Sequence, residues 1–353
     1  MALETAADIA AALSQTFDAD LYHQFNRECV TLSNIPARVA TDKQCSWDVE
    51  FTGSGNDADA VAEGSDVQAS ELRTDKPVPA TLNFGLYRTG FHLSDTEIKK
   101  AGISRGSPTQ LLDILGERML NSGSLLASRI NRDLISGNGT SVATSQPNIV
   151  GFLGGALAAT GIYANINRST YSEWASTVLA NGGTPRAMSV DLLNQAEEQL
   201  FIKCGRSPDF IMTTSGVRRK YANLFEQVRR VVSDGMGGMR MNAGTSEVFY
   251  QGQPVQRDKD MTTGTLIMGV SDFLGIEFLP PLGSDRDTVM KRMATLQGTT
   301  GSPGARVTGT AIPFEITPLA KNGNSLRFAL SLELQLKIRR CNAFVVIQDI
   351  SET

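Results

Sequence analysis

The chain has 353 residues, a length that fits two domains of about 150 residues, or one domain with large excursions. Lys and Arg number 33 against 37 Asp and Glu, a net charge of −4, which argues against a dedicated polyanion binder because a phosphate-tracking surface needs a basic excess. Apolar residues at 41 % and charged residues at 20 % exclude a wholly disordered or collagenous chain.

Cofactor chemistry is short of parts. His23 and His92 are the only histidines, and Cys29, Cys45, Cys204 and Cys341 form neither a C-x-x-C pair nor a Cys/His cluster. No zinc site follows from such spacings, so the cysteines read as small buried hydrophobes in a reducing compartment, with no metal or cofactor expected. Met1 to Asp8 carries Glu4 and Asp8 instead of the basic start of a secretory signal. The uncharged run Leu134 to Asn167 is broken by Gly137, Gly139, Pro147, Gly151, Gly154 and Gly155, which rules out a membrane-spanning helix. The expectation is a chain made in the cytoplasm.

In chain order, Ile9, Leu13, Phe17, Leu21 and Phe25 recur every four residues, the stripe of an amphipathic helix that Pro36 closes. One sticky face must dock on something, either the chain's own core or another molecule. Trp47, Val49 and Phe51 then alternate with polar residues, as a half-buried strand does, and a second alternation follows at Leu82, Phe84 and Leu86. Between them Thr52 to Lys76 carries Asp57, Asp59, Glu63, Asp66 and Glu71 with no base before Arg73. This connection is too long for a tight hairpin. It is either an extended two-stranded excursion with an acidic tip or an ordinary surface loop.

A long helix is predicted from about Pro108 to Ile135, with Leu112, Leu115, Met119, Leu126, Ile130 and Leu134 on one face. At 1.5 Å per residue it is a rod of about 40 Å. Gly116 and Gly123 inside it mark a bend or a close crossing, and Gly137 suits a left-handed cap. The middle of the chain reads as α+β. Helices are predicted over 170–179, over 190–203 (capped by Ser189, apolar face Leu193, Ala196, Leu200 and Phe201, ended by Gly205) and over 216–230. Short strands are predicted at 210–212, 248–250, Val255, 265–270 and 276–279. Gly235, Gly237 and Gly238 read as a flexible break, 297–310 as a loose loop, and 328–338 and 343–347 as C-terminal strands.

Catalytic patterns fail in context. Gly102-Ile103-Ser104-Arg105-Gly106 fits G-x-S-x-G, yet a nucleophile elbow needs a strand before the Ser and a His after it. The preceding residues are helix-like, and no His lies beyond 92. The basic clusters Lys99-Lys100, Arg218-Arg219-Lys220, Arg229-Arg230 and Arg339-Arg340 read as solvated faces and ion pairs. No catalytic residue is nominated, and an α+β enzyme is the remote alternative.

Arm, excursion and long helix each expose more apolar or unpaired surface than one compact molecule covers, so copies of the chain are expected to cover it. The order of motifs also carries a resemblance. The long helix ends in Asn131-Arg132-Asp133-Leu134-Ile135-Ser136-Gly137-Asn138-Gly139-Thr140, followed by Pro147-Asn148-Ile149-Val150-Gly151-Phe152. Then come Asn167-Arg168-Ser169-Thr170-Tyr171 with Trp174, Ser207-Pro208-Asp209-Phe210-Ile211-Met212, Tyr250 to Val255 with Asp258, and Cys341 to Ile347. Nearly the whole chain resembles the major capsid proteins of tailed bacteriophages with the Hong Kong 97 coat fold.

That resemblance implies an α+β coat fold with an N-terminal arm (1–44), an extended β-hairpin loop (45–94), a peripheral domain (95–169 and 311–353, spine helix about 108–135) and an axial domain (170–310). It implies self-assembly into hexamers and pentamers of an icosahedral head enclosing double-stranded DNA without sequence-specific binding and without a membrane. Portal, scaffolding and decoration or cement proteins are the implied partners, with scaffolding a separate protein. The implied locations are the host cytoplasm for synthesis and the virion thereafter. Phe17, Leu21, Trp47, Phe51, Leu82, Phe84 and Leu86 are the candidate assembly contacts. Lys76 and Asn342 are the pair nominated for a family-type isopeptide cross-link. Another phage structural protein, such as a tail-tube protein, is the alternative.

Overall fold

The computed structural model describes residues 29–51, 77–97, 99, 108–140, 147–224, 233–234, 238–239, 248–281, 286–296 and 312–353. The arm stripe over 5–28, the acidic stretch 52–76, the Gly102–Gly106 pattern and the 297–310 loop lie outside the described residues.

The first described turn, α1 (Val30–Asn34), leads into β1 (Ala37–Val39). A hairpin stem follows, β2 (Cys45–Val49) with β3 (Val78–Leu82), and then β4 (Gly85–Ser94) and the long helix α2 (Pro108–Ser136). The stem strands pair only with each other among the described residues, from Cys45↔Leu82 to Val49↔Val78. The alternation at Leu82, Phe84 and Leu86 is therefore not one strand. The chain breaks at Asn83–Phe84, and Leu86 belongs to β4, in a different sheet.

One short ladder, β5 (Ile162–Tyr163) with β6 (Ile166–Asn167), precedes β7 (Thr177–Leu179), α3 (Val190–Cys204), β8 (Phe210–Thr213) and α4 (Ser215–Leu224). Gly235 and Gly237 of the expected break lie outside the described residues; β9 (Ser233–Asp234) pairs antiparallel with β10 (Gly238–Met239). Then come β11 (Phe249–Tyr250), β12 (Gln253–Arg257), β13 (Leu266–Gly269), β14 (Leu274–Phe278), α5 (Arg286–Leu296), β15 (Glu315–Asn322), β16 (Ser325–Ile338) and β17 (Phe344–Ile347).

The first of two large sheets is built on β16. On one side β4 runs antiparallel, from Leu334↔Gly85 to Ser325↔Ser94. On the other side β15 covers the N-terminal half of β16, β14 covers its C-terminal half, and β1 adds parallel to β14. Leu330, Leu334, Leu336 and Ile338 are fully buried, as the period-two pattern requires. Gln335 and Lys337, on the opposite face, are buried as well. Both have partners: Gln335 Oε1 accepts from Val150 N at 3.2 Å, and Lys337 pairs with Glu277 at 2.6 Å.

The second sheet has the order β11-β12-β8-β13-β17-β7. Its central strands Phe210–Thr213, Leu266–Gly269 and Phe344–Ile347 are buried at every position, which is why they read as unbroken apolar runs. Helix α3 packs across β17 and β13. Ser189 Oγ accepts from Leu192 N, and Gly205 ends the helix with φ 71°. Phe201, expected on its apolar face, is 57 % exposed, and Leu192 is buried in the core instead. The expected helix over 170–179 is absent: a 3-10 turn, Ser172–Trp174, is followed by β7. Trp174 sinks into the core at 2 % exposure, and β-branched Thr177 and Val178 pair in parallel with Val345 and Val346. Tertiary pairing overrides a weak local preference there.

Helix α2 buries Leu126, Ile130 and Leu134 as expected. Its end differs. Positive φ occurs at Gly139 and not at Gly137. Gly137 is needed for close approach, because a Cβ there would lie 2.3 Å from the Ile149 carbonyl and 2.5 Å from that of Asp133. Gly151 N donates to Gly137 O at 2.7 Å, and a Cβ on Gly154 would lie 1.8 Å from the same oxygen. Three glycines thus interlock the helix end with the following turn, Phe152–Ala156. Of the two glycines inside the helix, Gly123 lies against the Phe314 ring, which a Cβ there would meet at 3.3 Å, a close crossing, whereas Gly116 has open space.

Candidate assembly surfaces

The hairpin stem is anchored at its root by aromatic and cationic side chains. Trp47 sits 6.3 Å from the Tyr163 ring, and Lys337 Nζ lies 5.2 Å above the Trp47 ring. The same ammonium donates to Ser46 O at 3.0 Å and to Glu277 Oε1 at 2.6 Å. Phe51 stacks on Tyr171 at 4.3 Å and meets Trp174 edge-on at 6.1 Å. Arg168, itself 3 % exposed, donates to the carbonyls of Thr160, Gly155 and Ala156 and lies 5.7 Å from the Tyr163 ring. Thr81 N donates to Ala164 O at 3.1 Å, closing the other strand onto the same support. The stem therefore leaves the body from a rigid platform. A two-stranded ribbon is marginal alone, and this one is held along its described length, by Lys337 at Ser46 and Trp47 and by Tyr171 and Trp174 at Phe51.

Helix α1 is held by a buried polar knot. Asp258, 3 % exposed, accepts from Thr31 N at 2.9 Å, Thr31 Oγ1 at 2.6 Å and Asn131 Nδ2 at 3.0 Å. Asp260 N closes on its other oxygen at 2.9 Å. Asn131 Nδ2 also reaches Asp260 Oδ2 at 2.8 Å, while Asn131 Oδ1 accepts from Leu32 N at 3.1 Å. One carboxylate and one amide thus join α1, α2 and the turn after β12. Nearby, the Tyr87 hydroxyl donates to Asp133 Oδ2 at 2.9 Å and accepts from Ile149 N at 3.2 Å, tying β4 to the helix end.

Of the nominated contact residues, Trp47, Phe51, Leu82 and Phe84 are half-buried, the first two in the platform just described. Leu86 stands 46 % exposed on β4. Phe17, Leu21 and Lys76 lie outside the described residues. Asn342 accepts from Arg340 Nε at 3.0 Å in the turn before β17. Further large apolar side chains are exposed: Leu120 (73 %) and Leu125 on the long helix, Ile316, Leu319 and Leu326 on the β15–β16 hairpin, and Ile202 beside Phe201 on α3. They are spread over the long helix, the β15–β16 hairpin and α3.

The sequence reading singled out no role for Asp258, Asn131, Thr31 or Lys337. Asn131 and Asp258 entered it only within motifs, since a buried carboxylate that serves as an acceptor hub has no local signature. Among the described residues no group of three His, Cys, Asp or Glu is arranged to hold a metal, and no helix is long and apolar enough to cross a membrane.

Among curated proteins no sequence matches the chain. Solved structures do match in fold. The capsid asymmetric unit of cyanophage A-1(L) superposes with a TM-score of 0.70 at 18 % identity, over 96 % of this chain and 98 % of that one. The capsid of the empty GTA particle gives 0.54 at 14 % identity, over 99 % and 100 %. The SrpI encapsulin of Synechococcus elongatus gives 0.52 at 13 % identity, over 100 % and 98 %. These likenesses establish the Hong Kong 97-type α+β coat fold for this chain. Over residues 5–351 the sequence matches the SU10 major capsid protein family, and with that match the chain belongs to this family of phage coat proteins, the virion proteins that assemble with their own copies into the icosahedral head.

Proposed function

We propose that the subunit builds hexamers and pentamers of a shell enclosing double-stranded DNA, with no catalytic step of its own. In this reading 1–44 is the arm and 45–94 the extended loop. Residues 95–169 and 311–353 form the peripheral domain, and 170–310 the axial domain. Synthesis takes place in the host cytoplasm, with scaffolding, portal and decoration proteins as separate partners. The observation that carries the reading is the hairpin stem: two strands pair with each other and with no third strand among the described residues, yet leave from a fixed platform. A ribbon so placed gains partners by lying on another copy, and the exposed Leu86, Leu120 and Leu319 offer apolar area for the same purpose. Many modest contacts then hold each subunit at several points at once.

Sedimentation and negative-stain microscopy of the purified chain test this. Capsomers or closed shells are expected. A species that stays monomeric at tens of micromolar (about the range in which modest contacts associate) overturns the reading.

A further inference from the structure

A cavity of about 380 Å³ opens where β1 and β14 meet the start of α5. Its cations are Arg38 of β1, Arg286 of α5, Lys337 of β16 and Arg339 just past the end of β16. Ladder register brings them together. Arg38 stands opposite Glu277 in the β1–β14 pair, and Lys337 opposite Gly275 in the β14–β16 pair. Arg38, Glu277, Lys337 and Arg339 therefore share one face of the sheet, and Arg286 is added from the helix that packs on β1. Two acids line the cavity, and both are engaged: Glu277 with Lys337 at 2.6 Å, and Asp272 with Arg206 at 2.8 Å. Arg38, Arg286 and Arg339, all exposed, form no ion pair among the described residues. A concavity lined by charge of one sign focuses the field and concentrates anions.

The class of anion follows from charge and size. Guanidinium forks match phosphate oxygens two at a time. A single phosphate group carries about −1.5 to −2 near pH 7, which leaves one of three guanidinium charges unanswered, whereas two linked phosphates answer all of them. The volume lies within the range of about 300–1,000 Å³ typical of small-ligand sites. A DNA duplex, whose major groove alone is about 12 Å wide, meets only the rim of such a cavity. We propose that this cavity binds a short phosphate chain, as pyrophosphate or as the organic di- and triphosphates that carry one. The site is complete within one subunit, so it stands apart from the assembly reading above. A chain bound there bridges β1, α5 and the end of β16, and subunit stability rises with its concentration.

Calorimetric titration of the full chain with pyrophosphate, at low ionic strength and without divalent cations, tests the site. Saturable binding at one site per subunit is expected. Three charge-assisted contacts of about tenfold each set a Kd below about 1 mM, and inorganic phosphate should bind about tenfold more weakly. Arg38→Gln and Arg286→Gln should each weaken pyrophosphate about tenfold, while the ligand-free subunit melts within a few degrees of wild type. Arg132→Gln, at an exposed position on α2, should leave binding unchanged. The proposal is overturned if pyrophosphate shows no saturable binding, or if both cavity variants bind it as wild type does. Citrate binding as tightly as pyrophosphate overturns it too, because general attraction of anions would then suffice. It is equally overturned if a short DNA duplex at the same phosphate concentration displaces pyrophosphate, which would give the arginines to the nucleic-acid backbone.

Discussion

Replacing Asp258 by alanine removes the common acceptor of three chain segments, and the structure allows the cost to be worked out. Four donors close on this carboxylate, Thr31 N, Thr31 Oγ1, Asn131 Nδ2 and Asp260 N. Asn131 keeps Asp260 as an alternative acceptor and Thr31 Oγ1 keeps the weak acceptor Met212 Sδ at 3.0 Å, so the buried donor left stranded is mainly Thr31 N, on a residue with no exposed surface. An unsatisfied buried group costs about 1–3 kcal/mol, and the lost charge-assisted bonds raise the sum to about 3–5 kcal/mol, a large part of a typical net stability of about 5–15 kcal/mol. The loss should also be local. Urea unfolding of the dissociated subunit, followed by the fluorescence of buried Trp174, reads the total. Hydrogen exchange at the Thr31 and Leu32 amides reads the release of α1, with the amides of Phe344–Ile347 as the internal standard. Asp258→Asn, which keeps the shape but turns one acceptor into a donor facing Asn131, should fall between alanine and wild type. A destabilisation below about 1 kcal/mol with unchanged exchange at Thr31 and Leu32 would refute the idea that this carboxylate fastens α1.

Two more expectations follow from the packing. Gly154→Ala drives a Cβ into the Gly137 carbonyl and breaks the Gly151–Gly137 bond, so overpacking plus a lost hydrogen bond should cost about 2–4 kcal/mol. Gly116→Ala, in open space within the same helix, should be neutral or stabilising by up to about 1 kcal/mol, and equal melting shifts for the two variants would sink the close-approach argument. The Cys45 and Cys341 thiols are both fully buried. Desolvation pushes Cys341 up to about 12 against a weaker pull from Arg168, and raises Cys45 further with help from Glu277. Both thiols stay protonated at pH 8 and should resist a thiol reagent in the native subunit until urea is added; rapid native labelling of Cys341 would contradict its burial.

How much was legible in the residues depends on where the controlling contacts lie. Helix α3 could be read almost to the residue, because Ser189 and Gly205 cap it within its own segment. The runs at Phe210–Thr213 and Phe344–Ile347 were equally plain, since a strand covered on both faces keeps no polar position. The failures have the opposite character. Residues 172–179 were misread because Trp174 and the Val345–Ile347 partner strand settle their geometry from far along the chain. Strand β15 and helix α5 were not anticipated at all. At Gly137 the residues suggest a local cap, whereas a neighbouring backbone twelve residues on, at Ile149, demands the missing side chain.

Assembly points divide in the same way. The motif order carried the resemblance to a coat protein, because it is a property of the linear chain and survives without coordinates, whereas composition and the shortage of histidine and cysteine only argued against metal and catalytic chemistry. The Asp258 knot and the Trp47–Lys337 platform could not be read that way. Each joins residues separated by tens to hundreds of positions, and a charge or an amide acquires its role only when folding removes water from around it and leaves a particular partner, or none, within reach.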